Sequence, residues 1–198
     1  MPAQRILIIQ GHPDATRRHL CHTLAAAYAE GARAAGHEVR TVEVTQLDFP
    51  LLRSAQDWEQ GTVPPGLQSV QDDIRWGGHL LFIYPLWLGD VPAVLKGFLE
   101  QVARPGFAFK ADAGGKNPFG KKGLGGRSAR VIVTMGMPAL VYRWFFGAHS
   151  LKSLKRNVLA FVGIAPVHDT VIGMVDRLGE AGVRHWCDRL RALGARAR

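Results

Sequence analysis

The chain has 198 residues, 47% of them hydrophobic and 21% charged, which is enough for one ordinary core and sits in the globular range. Twenty-five Lys and Arg against sixteen Asp and Glu leave a formal charge of +9, a balance that favours anionic partners unless it is only a solvated basic surface. Two distant cysteines, an N-terminal apolar run of only Ile6–Ile9 and no basic–aromatic alternation argue against a disulfide framework, a signal peptide, a membrane span and a nucleic-acid reader; a cytoplasmic protein is expected.

Ile6–Gln10 is apolar and β-branched without alternation, as in a strand buried on both faces. From Leu20 a helical face runs through Leu24, Ala27, Gly31 and Ala34, and Gly36 stops it. HEVRTVEV predicts a second strand ending near Thr45, and 46–65 a long loop with room for one turn of helix. A helix over Leu67–Trp76 precedes the strand HLLFIYPL. The next helix carries Val91, Val94, Leu95, Phe98, Leu99 and Val102 on one face. Residues 105–126, rich in Gly and Lys, read as an extended, mobile excursion, with GLGG as a turn. ARVIVTMG is a further buried strand, Leu151–Val162 a helix and PVHDTVIGMV the last strand. Val183, Trp186, Leu190 and Leu193 mark a closing amphipathic helix. Five strands alternating with helices, with no repeat and no linker, predict one α/β domain over 1–198 with a mostly parallel sheet.

Ligands of such sheets bind beyond the carboxyl ends of the strands. Three unusual segments leave those ends: GHPDATRRH, YPLWLGDVPA and TMGMPALVYRWFFGAH. The first lacks the Gly patterns of a Rossmann turn or a Walker loop. It does open a helix, with Thr16, Arg17, Arg18 and His19 as donors, a combination suited to a phosphate; the bland alternative is a solvated basic turn. The second holds Pro85, Leu86 and Trp87, where a planar ligand can pack unless the indole is ordinary core. The third gathers Tyr142, Arg143, Trp144, Phe145, Phe146 and His149: a pocket wall, a subunit interface or a buried turn. His19, Cys21 and His22 lack further ligands at metal spacing, so no metal site is expected, and no hydrolase motif is present.

GHPD after the first strand, PLWLGDVPAVLKGFLEQVARPGFAF in the middle, and VTMG followed by Tyr142 and His149 resemble the NAD(P)H:quinone oxidoreductases, flavodoxin-like flavoproteins. The resemblance covers most of the chain and implies a flavodoxin-like three-layer sandwich, its five-stranded parallel sheet in the order 2-1-3-4-5. It implies a bound flavin, FMN for a chain of this length with FAD as the alternative, and NAD(P)H as co-substrate. A quinone or similar aromatic acceptor would take the hydride, in a homodimer with the site at the interface. On this resemblance His12 belongs to the flavin-binding first loop, Pro85, Leu86, Trp87 and Leu88 flank the flavin, and Thr134 and Gly136 open the third loop. Tyr142 and His149 correspond to the Tyr and His that assist hydride transfer, with one residue inserted between them. The chain departs from the family pattern at Arg17, Arg18 and His19, where Ser, Phe or Leu, and Asn are usual, and at Gly136-Met137, where a Gly pair is usual. The charge of +9 leans toward NADPH over NADH. Two other roles are compatible with the resemblance: an ancillary subunit peripheral to a potassium-efflux system, and a one-electron carrier.

Overall fold

The apolar run of the first strand has to be covered on both sides, and that requirement organises the fold. The computed structural model describes residues 2–110 and 121–198. In β1 (Arg5–Gln10), Ile6 and Ile8 join one core while Leu7 and Ile9 join another, because successive side chains of a strand point to opposite faces. The other strands of the main sheet are β2 (Glu38–Glu43), β3 (His79–Pro85), β6 (Ser128–Thr134) and β7 (Val167–Ile172), all parallel to their neighbours. Their spatial order is β2-β1-β3-β6-β7, the order 2-1-3-4-5 of a flavodoxin-like sheet. A separate antiparallel pair, β4 (Phe109–Lys110) with β5 (Lys121–Lys122), closes the ends of the excursion expected over 105–126. The central part of that excursion, 111–120, lies outside the described residues; the GLGG segment is a turn, as expected.

Helices α1 (Leu20–Ala34) and α7 (Gly179–Gly194) cover one face of the sheet. α3 (Pro65–Trp76) and α4 (Ala93–Val102) cover the other, completing three layers. The two helices of the first face touch backbone to backbone. A Cβ on Gly31 would stand 2.1 Å from the Arg191 carbonyl oxygen, and one on Gly194 would stand 2.1 Å from that of Tyr28, so both positions need glycine. Ala34, expected on the buried face of α1, is exposed; Tyr28 and Ala32 are buried instead.

Two stretches differ from the sequence expectation. The loop over 46–65 contains α2 (Ala55–Gln60), capped by the Ser54 hydroxyl, which accepts the Asp57 N–H at 3.0 Å. The third loop is not irregular: it forms α5 (Ala139–Trp144) and then α6 (His149–Ser153), which continues into a wider π-type turn at Leu154–Leu159. The helix predicted to begin at Leu151 therefore begins two residues earlier, after Gly147 and Ala148, both of positive φ (62° and 48°).

Candidate functional site at the strand ends

The three loops leave neighbouring strands. The Gly11 N–H donates to the Ile83 carbonyl (2.9 Å), the Leu86 N–H to that of Thr134 (2.8 Å), and the Met135 N–H to that of Ile172 (2.9 Å). β1, β3 and β6 therefore end side by side, and the loops open on one rim. Glycine at position 11 lets α4 approach: a Cβ there would meet Leu95 Cδ2 at 2.7 Å.

The first loop is built around a carboxylate. Asp14 Oδ1 accepts the Thr16 N–H (2.8 Å) and the Thr16 hydroxyl (2.6 Å), and Oδ2 lies 2.6 Å from His19 Nε2. Those contacts, from Thr16 first and then His19, hold the Asp14 carboxyl well below the usual carboxylate range. Arg17 Nε lies 3.9 Å from the same carboxylate. The His12 ring is buried and stacks on His19 (centroids 3.9 Å apart), with the Trp87 indole edge-on at 6.5 Å. Burial lowers the pKa of His12 and the neighbouring His19 lowers it further, so His12 is neutral near pH 7. Its Nδ1 accepts the Asp14 N–H (3.1 Å), and His22 Nδ1 accepts the His19 N–H (3.1 Å) at the start of α1. With those lone pairs engaged, the histidines serve loop geometry; among the described residues no group of His, Cys, Asp and Glu is disposed to hold a metal.

Arg17 and Arg18 are exposed. They line a groove of about 560 Å³ between α1 and β2, together with Gln10, His22, Arg33 and Glu43. Gln10 is buried at the end of β1; its Oε1 accepts the His12 N–H (2.9 Å), while Nε2 has no hydrogen-bond partner among the described residues.

In the second loop Pro85 and Leu86 are half-buried, while Trp87 and Leu88 are exposed. Trp87 and Asp90 exchange both backbone hydrogen bonds (3.0 and 2.9 Å) around Leu88 and Gly89, whose φ values are 46° and 81°. This two-residue turn needs positive φ at both central positions, and Leu88 is strained there. At the end of β3 the Tyr84 hydroxyl is buried and has no hydrogen-bond partner among the described residues.

The third loop divides its residues. Thr134 is buried, and its Oγ1 faces Cys21 Sγ at 3.2 Å, tying β6 to α1. Gly136 is exposed at the rim. Tyr142 is buried: its hydroxyl pairs with Ser150 Oγ (2.9 Å) and accepts the Leu151 N–H (3.2 Å). His149 is exposed at the start of α6, and no hydrogen bond joins it to Tyr142. Leu140, Trp144, Phe145 and Phe146 are exposed apolar side chains of the same segment.

The rim thus offers a loop folded around its own carboxylate, an exposed indole and an apolar wall at the carboxyl ends of a 2-1-3-4-5 sheet, and comparison with known proteins gives the same kinship. The profile of a family described as having a flavodoxin-like fold matches residues 4–190. The chain belongs to that family. Within the flavodoxin-like proteins it is 31% identical over 171 residues to a Haemophilus influenzae protein named an uncharacterized NAD(P)H oxidoreductase, covering 84% of this chain and 82% of the relative. Two solved structures share its fold. One is the NAD(P)H:quinone oxidoreductase from Methanothermobacter marburgensis, with a TM-score of 0.79 and 23% identity over 98% of this chain and 96% of that one. The other is an FMN-dependent NADH-azoreductase from Bacillus anthracis in complex with FMN, with a TM-score of 0.69 and 16% identity over 98% of each chain. The flavodoxin-like kinship resembled in the sequence, and its strand order, hold.

Sequence reasoning did not single out Asp14, Gln10 or Tyr84. Asp14 was visible in GHPD, and an acidic residue inside a basic phosphate-type loop is the signal that points to it. An orphaned Gln10 amide or Tyr84 hydroxyl leaves no trace in residue spacing.

Proposed function

We propose that the protein is a flavin-dependent NAD(P)H oxidoreductase that passes hydride to a quinone or similar flat aromatic acceptor. The observation that carries this reading is the Asp14 carboxylate, held by the Thr16 N–H, the Thr16 hydroxyl and His19 as an internal anion, in a loop whose His12 lies edge-on to the exposed Trp87. Those donors fit the phosphate of a flavin nucleotide, and Trp87 with Pro85 and Leu86 fits one side of its ring.

A flavin held there would supply the two-electron chemistry between NAD(P)H and the acceptor. The chain's own residues bind and orient. Thr16 and His19 hold the phosphate end, and Arg17 and Arg18 add charge-assisted donors at the edge of the groove. His12, neutral and stacked on His19, keeps the loop in register with Trp87. His149, exposed beside the aromatic segment, is the side chain available to hold or deliver a proton to the acceptor. Tyr142, locked to Ser150 and the Leu151 N–H, acts as a positioning residue that fixes the turn carrying His149. The exposed apolar wall of Leu140, Trp144 and Phe145 supports a homodimer in which a second copy completes the pocket.

The 560 Å³ groove, with Arg17, Arg18 and Arg33 on its walls, favours a second reading for the cofactor: room for the adenylate end of FAD. The test is direct. Purified protein should be yellow, should bleach with NADPH and should recover on adding a quinone, and the mass of the released flavin separates FMN from FAD. Protein that retains neither flavin and reduces no quinone when supplied with both would falsify the proposal.

A further inference from the structure

On the far edge of the sheet a groove of about 400 Å³ runs between β7 and α7, with Arg143 of the third loop on its wall. Its ten lining residues include four arginines, Arg130, Arg143, Arg189 and Arg196, and a single acid, Asp169. Both oxygens of that acid are taken: Oδ2 by Arg143 at 2.7 Å, and Oδ1 by Lys155. Arg130 is only 8% exposed, and its Nη1 donates to the Asp169 carbonyl (3.2 Å) and the Thr170 hydroxyl (2.7 Å). Among the described residues its Nε has no hydrogen-bond partner. Arg189 lies over the Trp186 ring at 5.0 Å, and Arg196 Nε donates to the Ala192 carbonyl. Among the described residues, none of Arg130, Arg189 and Arg196 has a carboxylate partner.

A guanidinium held in a part-buried groove without a counter-charge is costly, since burial disfavours its charge and its neighbours repel it. Burial indeed pulls the Arg130 pKa down, and Arg189 and Arg196 act in the same direction against the opposing pull of Tyr28 and Asp169. A groove with this one buried guanidinium, two exposed ones beside it and one satisfied acid is short of negative charge. Guanidinium forks match the oxygens of a phosphate group, and the groove is large enough for a ligand bigger than a simple ion.

We propose that this groove is a second, independent binding site for a phosphate-bearing ligand of at least two negative charges, engaged by Arg189 and Arg196 above the buried charge of Arg130. It does not depend on the flavin reading. The ligand's phosphate can be that of a free phosphorylated metabolite or of a lipid headgroup.

The test is calorimetric titration of the full chain, in excess FMN, with pyrophosphate against sodium chloride at equal ionic strength. Saturable binding is expected with a dissociation constant on the order of 1 mM or tighter. The exposed pair Arg189→Ala with Arg196→Ala should weaken it by about tenfold or more, as expected for losing charge-assisted donors. Arg17→Ala with Arg18→Ala should retain it. No saturable heat beyond chloride, or unchanged affinity in the Arg189/Arg196 variant, overturns the site. Sedimentation with phosphatidylcholine vesicles, with and without phosphatidylglycerol, then names the source. Capture that pyrophosphate displaces assigns the headgroup, and pyrophosphate binding without capture assigns a free ligand.

Discussion

Asp14 and His19 meet at 2.6 Å across the first loop, and the same carboxylate holds both the backbone and the hydroxyl of Thr16. The loop that should receive a phosphate already contains an anion, so a phosphate must displace Asp14 from its donors or share them. Asp14→Asn removes that competitor and a charge that repels the ligand. FMN affinity, read from fluorescence quenching, should rise by about tenfold, the worth of one charged hydrogen bond. A weaker affinity would show that Asp14 shapes the loop instead of competing for it.

Arg17 and Arg18 sit at the groove side of that loop. Replacing both with Ala should weaken flavin binding by roughly 10–100-fold, from the loss of one or two charge-assisted contacts, and should flatten its salt dependence. A double variant that stays fully yellow after dialysis in high salt makes the two side chains plain surface charge.

The Tyr142 and His149 variants should separate stability from turnover. Tyr142→Phe leaves Ser150 and the Leu151 N–H short of a partner and should cost about 1–2 kcal/mol of stability in urea unfolding. His149→Gln, at an exposed position, should leave the unfolding midpoint unchanged and lower quinone reduction, with its pH profile altered. Equal turnover in His149→Gln removes that residue from the chemistry.

His79 should make folding acid-sensitive. Its ring is buried, sharing a 2.8 Å hydrogen bond with the Ser128 hydroxyl, and burial, aided by Arg130, pushes its pKa down to about 4 from 6.5. The unfolded chain therefore binds the proton first. The contribution is complete above pH 6.5, falls as pH drops from 6.5 to about 4, and is flat below. Its size is on the order of 3 kcal/mol. Urea unfolding across that window should show the slope, and His79→Gln should remove most of it.

Leu88 carries a side chain at φ 46° in a turn that suits Asn or Gly. Leu88→Asn should therefore stabilise the fold by about 1 kcal/mol. If quinone reduction falls at the same time, the strained, exposed leucine is kept for a contact at the rim.

Much of this architecture could be read before the structure. The apolar runs of Ile6–Gln10, HLLFIYPL and ARVIVTMG could only be strands covered on both sides, and the three odd loops after them marked the rim. The strand order came from the resemblance, because periodicity carries no information on which strands are neighbours. What escaped was chemistry made by distance. Nothing in the spacing says that Asp14 turns back onto Thr16, that Tyr142 spends its hydroxyl on Ser150, or that Arg130 and Arg196 share a groove. The aromatic segment after Pro138 looked like a loop because its helices are short, and Gly147 with Ala148 breaks them.

The glycine contact between α1 and α7 has a consequence for how the chain is made. Gly31 and Gly194 stand far apart in the sequence, yet the α7 backbone at Arg191 fills the space a side chain would need on Gly31, and the α1 backbone at Tyr28 does the same to Gly194. Until residue 194 has left the ribosome, α1 lacks its packing partner, and the part of the core that Leu24 and Tyr28 share with Cys187 and Leu190 stays open. Such long-range closure is slow compared with helix formation, so the last step of folding should be the zipping of the two terminal helices. Hydrogen exchange in α1 should then report the presence of the C-terminal helix more faithfully than anything in α1 itself.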